Sequence, residues 1–193
     1  MRFSRVFHIG MVGLLALGSV SAYVQAETSV SDPAAKAVVD MNGNLRVPAN
    51  YRTSYQFLGS WAVAESSGKS PTQLHVVYAS PGTIAAYRKN KRFRDGSVLV
   101  KEVFQATTES MKTGVVSRAQ VLKGWFVMVK ESKDTHPDNP LWGEGWAWSW
   151  FDADNSSKTT STNFRVNCLS CHVPAQSTDW IYVQGYPALE RAH

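Results

Sequence analysis

The sequence predicts an α+β fold, a mainly antiparallel β-sheet with a few short helices, and three observations carry that prediction. Five or more runs rich in Val, Phe, Tyr and Trp have the composition of strands. Clusters of Gly, Pro, Asn, Asp and Ser separate them at short intervals. Helix signals are confined to short pieces. The 193 residues suffice for one domain of ordinary size.

The first stretch is expected to lie outside that domain. Arg2 and Arg5 precede an apolar run over residues 10–20, and small residues follow, with Ala22 and Ala26 each closing an A-x-A-type pattern. That order of basic, apolar and small residues is the pattern of a secretory signal peptide, here residues 1–26. The run is too short and too rich in Gly and Ser for a spanning helix, which needs about 20 apolar residues. Residues 27–40 are small and polar and read as a flexible N-terminal arm, leaving 41–193 as the domain.

Within the domain, Asn42-Gly43-Asn44 reads as a turn and Val47-Pro48 as an extended approach. Residues 55–64 and 73–79 predict strands, separated by the breaker Ser66-Ser67-Gly68-Lys69-Ser70-Pro71. Ser80-Pro81 predicts a short helix with Ser80 as N-cap and Pro81 in the first turn, burying Ile84, Ala85 and Tyr87. Asp95-Gly96 turns the chain into a strand over 97–106, and 124–131 predicts another. Residues 142–151 follow, with Trp146, Trp148 and Trp150 on one face by alternation. Residues 152–157 close that segment as a turn.

Removing residues 1–26 takes away two arginines and no acid, so the formal charge falls from +5 to +3. A balance that small, with no basic run interleaved with aromatics, excludes a nucleic-acid partner. The remaining chain has no second long apolar segment, so no membrane association is expected once the signal is cleaved.

Only two cysteines are present, in Cys168-Leu169-Ser170-Cys171-His172. Cys-x-x-Cys-His is the c-type haem attachment sequence. Two thiols at that spacing reach the two vinyl groups on one porphyrin edge, and the adjoining histidine is carried beneath the ring to the iron. Three other chemistries share part of the pattern. A thioredoxin-like site needs a βαβ context that the preceding residues do not offer. A zinc site needs two more ligands at suitable spacing, and only scattered His75, His136 and His193 remain. A plain disulfide leaves His172 unexplained. One covalently attached haem c, with Cys168 and Cys171 as attachment points and His172 as iron ligand, is the expectation. The segment that carries it should be a helix or loop near the C-terminus, packed across the sheet.

With these residues in hand, the chain resembles the cytochrome P-460 family. Three blocks carry the resemblance: Asn50-Tyr51-Arg52; His75-Val76-Val77-Tyr78 through Phe93-Arg94-Asp95-Gly96-Ser97 to Lys101-Glu102; and Cys168 through Thr178-Asp179-Trp180 to Tyr186-Pro187-Ala188-Leu189. The resemblance implies a β-rich homodimer with a five-coordinate haem. Members called cytochrome P-460 oxidise hydroxylamine and bear a bond from a lysine to a porphyrin meso carbon. Relatives called cytochrome c-prime-beta lack that bond and are regarded as binders of nitric oxide. Lys101 falls at the position of the cross-linking lysine. Strand periodicity does not say which way it points, because Leu99 and Val103 flank it on one face and Val100, Glu102 and Phe104 share the other.

The resemblance therefore implies a periplasmic protein that takes a small nitrogenous substrate or ligand and passes electrons to an external cytochrome. Nitric-oxide binding without turnover, and simple electron carriage, stay open beside it. Active relatives carry a carboxylate somewhat before the haem motif, whereas residues 160–165 here hold none, and Asn163 is the candidate distal-pocket residue. Met128 reads as core rather than ligand, and His75 as hydrogen-bonded structure or a contact at the haem edge. His136 sits in a polar loop. Arg52 and Arg94 are candidate partners for haem propionates, since guanidinium binds carboxylate through two hydrogen bonds.

Overall fold

The computed structural model describes Met1 and residues 33–190. The expected signal peptide lies outside the described residues, apart from Met1. Six strands form one antiparallel sheet: β1 (Gln56–Val63), β2 (Gln73–Ala79), β3 (Val98–Met111), β4 (Gly114–Lys130), β5 (Trp142–Gly143) and β6 (Trp146–Asp152). Their order is β1-β2-β3-β4-β6-β5. Short helices α1 (Pro33–Val38), α2 (Tyr51–Ser54) and α3 (Thr83–Asn90) stand before and between the strands. This is the α+β architecture that the strand-like runs predict. β3 and β4 extend well beyond the expected segments, because the polar residues between them pair as one long hairpin closing at Met111 and Gly114.

Both faces of the sheet are covered, which explains why alternation along the strands is hard to read. On one face Val77, Ala79, Leu99, Met128, Trp146 and Trp148 pack against α3 and the C-terminal segment. On the other, Val98, Val100, Val127, Val129, Ala147 and Phe151 pack against Val38, Leu45 and Tyr51. The period of two is intact, but the partition is between two apolar layers instead of core and water. Trp146 and Trp148 are fully buried, whereas Trp150, on the same face, is half-buried over Phe126.

Local expectations are corrected in three places. Residues 33–40, expected as part of a flexible arm, form α1 and a bridge from Val39 to Leu45, with Val38 completely buried. The small residues there allow close packing under the sheet. Helix α3 begins at Thr83 after Gly82, and Ser80 does not cap it. Ser80 Oγ instead bonds Thr83 Oγ1 and accepts from the Val98 amide, tying the helix start to β3. Thr83, Ile84 and Tyr87 are buried there, while Ala85 faces outward.

Candidate functional site

Three cross-strand rows build the floor of a cavity. Directly opposed residues in antiparallel strands share a face. Val77, Lys101 and Phe126 make one row, and Ala79, Leu99, Met128 and Trp148 make the next. His75 heads a third, opposite Trp61 and Val103. A bulge between Phe57 and Gly59 changes the face presented by β1. Leu58 and Trp61, three residues apart, consequently both pack toward this side.

The facing wall is the C-terminal segment. A π-helical turn, Arg165–Leu169, runs into a short α-helical turn, Ser170–His172; π-turns concentrate at functional sites. Helical spacing puts Cys168, Cys171 and His172 on one side. All three line the cavity, together with Lys101, Phe126, Met128 and His75. Its volume is about 570 Å³, inside the range of roughly 300–1,000 Å³ usual for ligand pockets.

The imidazole of His172 is held in one orientation. Its Nδ1–H donates to the carbonyl of Trp180 at 2.6 Å, which leaves Nε2 free for a metal. The ring of Trp148 meets it edge-on at 5.0 Å, and the Tyr182 hydroxyl donates to the Cys171 carbonyl at 2.5 Å. Burial lowers the pKa of His172, opposed by the Trp180 carbonyl, so the neutral form required of a ligand is favoured. The two cysteines are free thiols, Cys168 buried and Cys171 exposed. Burial raises the Cys168 thiol to about 11. Among the described residues, no three His, Cys, Asp or Glu side chains converge as a metal site.

Lys101 points into this cavity. Its Nζ lies 4.3 Å from the centroid of the Phe126 ring, the expected geometry of a cation resting on an aromatic face. Burial lowers its pKa from 10.5 to about 8. An amine in that range is partly unprotonated near neutrality and can act as a nucleophile. His75, half-buried beside it, is pushed down to about 4 by burial and by the Lys101 charge, and its Nε2 lies 2.9 Å from Gln73 Oε1.

Asn163 is not where a distal residue should be. Its side chain accepts from the Arg165 amide at 2.9 Å, capping the helical segment that starts at Phe164, and it does not line the cavity. Asn before a helix is a capping residue first, and that role takes precedence here. Arg52 and Arg94 are also placed elsewhere. Arg52 pairs with Glu102 at 2.6 Å on the opposite face of the sheet, and Arg94 donates to the Pro81 carbonyl at 3.2 Å. Met128 is buried in the cavity floor, and His136 lies against Trp142, the rings tilted by 51°, away from it.

Sequence reasoning misses the Trp180 carbonyl, because a backbone acceptor has no residue signature. It misses Tyr182 and Gln184 as lining residues for a related reason: they sit at the start of and within a single 3-10 turn, Val183–Gly185, too short to show a periodicity. The residues present fit a haem. Two thiols and an oriented imidazole share one wall, and the rest of the lining is mainly apolar and aromatic.

Residues 48–183 match the family model described as Cytochrome P460. That span contains every cavity-lining residue except Gln184 and Tyr186. No curated protein matches the chain significantly.

Proposed function

The chain belongs to the cytochrome P460 family of haem proteins, and from that premise we propose that it is a periplasmic mono-haem c-type cytochrome that oxidises hydroxylamine or a related small nitrogen compound. The observation that carries the proposal is Lys101, whose Nζ enters the cavity that Cys168, Cys171 and His172 line. In this reading Cys168 and Cys171 would hold the haem, His172 would ligate its iron, and Lys101 would be the residue facing the porphyrin edge, where a C–N bond would form with loss of two hydrogens to an external oxidant. When bound, the haem supplies the iron centre that accepts electrons from the substrate nitrogen.

The chain's own residues do the rest. The Trp180 carbonyl keeps the His172 tautomer fixed. The apolar floor of Val77, Leu99, Phe126 and Met128 excludes water. His75, held neutral near physiological pH, lines the cavity as a hydrogen-bonding group beside the substrate space. An external cytochrome takes the electrons, and the protein works as a homodimer.

A second reading is favoured by one observation: among the described residues, no Asp or Glu lines the cavity. An apolar pocket without a carboxylate suits nitric-oxide binding without turnover. The ferrous absorption spectrum and a turnover assay on purified, fully haem-loaded protein separate the two. The enzymatic reading expects a strongly red-shifted Soret band, a mass lower by a hydrogen pair beyond the two thioethers, and hydroxylamine consumption with an artificial oxidant. A normal high-spin spectrum without turnover sinks it in favour of the gas binder. Sharp α and β bands of a six-coordinate haem sink both.

A further inference from the structure

The carbonyl that orients His172 belongs to a left-handed turn whose amides, of Asp179 and Trp180, donate to the Gln176 and Ala175 carbonyls at 3.2 and 2.9 Å. Asp179 and Trp180 have φ of 60° and 68°, two consecutive residues with side chains in the left-handed region. That conformation is sparsely populated and persists only where the surroundings over-determine it. The surroundings here converge on Asp179. Lys130 Nζ, at the end of β4, donates to Asp179 Oδ1 at 2.8 Å, with both side chains at most 10% exposed. The Phe93 amide donates to Oδ2 at 3.3 Å, and the Trp146 indole donates to the Asp179 carbonyl at 3.0 Å. The next carbonyl along the chain is the acceptor for His172 Nδ1.

From this arrangement we infer that the buried Lys130–Asp179 ion pair is a positioning device that fixes the Trp180 carbonyl against His172 and so sets the electron donation of the iron's axial ligand. Neither Lys130 nor Asp179 lines the cavity, so both act through the backbone and not on haem or substrate. A firm Nδ1–H···O=C bond makes the imidazole a stronger donor, which favours the ferric state; a loosened bond favours the ferrous state. A buried pair needs a reason, since apolar residues of similar volume often serve stability as well. Holding a strained carbonyl at one point is such a reason.

The inference rests on the haem reading above, and the experiment keeps the two apart. Haem content of the wild-type protein tests the reading: protein that takes up no haem sinks that reading first. In loaded protein, Lys130→Met and Asp179→Asn are expected to raise the reduction potential and lower the ferrous iron–histidine stretching frequency, while Lys130→Arg keeps both near wild type. Equal potentials and stretches in all four loaded proteins overturn the inference. If Asp179→Asn fails to fold, the Met and Arg variants at Lys130 decide alone. The wild-type holoprotein gives a further reading: slow solvent exchange of the His172 Nδ1 proton is expected, and rapid exchange overturns the inference.

Discussion

Lys101 and Glu102 are adjacent in β3, yet their side chains go to opposite faces of the sheet. The ammonium enters the cavity over Phe126, and the carboxylate accepts from the Tyr51 hydroxyl at 2.5 Å and from Arg52 at 2.6 Å. Glu102 is 2% exposed, and Trp125 extends the network by donating to the Tyr51 oxygen at 2.8 Å. One step along a strand thus separates a site group from a structural one.

The two positions should fail differently. Glu102→Gln removes the charge from a buried hydrogen-bonded cluster and is expected to cost about 1–3 kcal/mol of stability. Its ferrous spectrum should remain that of the wild type. Lys101→Met keeps the apolar contact with the cavity floor and should leave the urea midpoint nearly unchanged while altering the spectrum. A matched loss of stability in both variants, with both spectra intact, contradicts this division.

Asn163→Ala tests the corrected assignment of that residue. Loss of the cap on the haem-motif helix should cost about 1 kcal/mol. Affinity for nitric oxide at the loaded haem should stay within about twofold, because a group outside the cavity contributes little to the binding free energy. A large change in affinity with unchanged stability would return Asn163 to the pocket.

His75 predicts a pH dependence with a definite sign. Its ordinary pKa is 6.5, and in the folded protein it is held down near 4. Between those values the unfolded chain takes up a proton that the folded chain refuses, so stability falls as pH drops through this window and levels off below it. The loss should be about 2 kcal/mol once partial solvent screening is allowed for. His75→Gln should flatten that part of the profile, as read from urea midpoints at pH 7 and pH 4.5. An unchanged slope would show that His75 titrates normally.

Gly185→Ala addresses the packing of the cavity rim. A Cβ at this position would lie 1.8 Å from Cζ2 of Trp61. Relief requires the indole to leave the cavity wall, at a cost of about 1–3 kcal/mol for overpacking. The expected signature is a lower urea midpoint together with a changed Trp fluorescence spectrum.

How much of this is legible in the sequence depends on what kind of atom carries the information. The strands announce themselves through β-branched and aromatic runs: the segment over 73–79 agrees with β2, while that over 142–151 is split into β5 and β6 by a turn at Glu144 and Gly145, both at positive φ. Cys168, Cys171 and His172 are legible because their chemistry fixes their spacing. The direction of Lys101 is not, since Val100 and Leu99 are both buried and neither face reads as polar. Asn163 misleads because an amide before a helix serves the backbone as readily as a ligand. The Lys130–Asp179 pair joins residues 49 apart, and no local pattern encodes a partner at that distance.

The β3–β4 hairpin has a register that is set twice. From Val98 to Val103 it pairs without interruption with residues 129–124, beside the buried layers. Two irregularities, at Val103/Phe104 and Phe104/Ala106, then separate this stretch from the arm that runs out to Met111 and Gly114. A one-residue slip in the inner stretch would exchange the faces of Lys101 and Glu102, placing an acid under the haem motif and an unpaired lysine beside Tyr51 and Arg52. A change of loop length at the tip meets those irregularities first. The outer arm is therefore the part of the molecule where insertions and deletions can accumulate while the lysine keeps its aim.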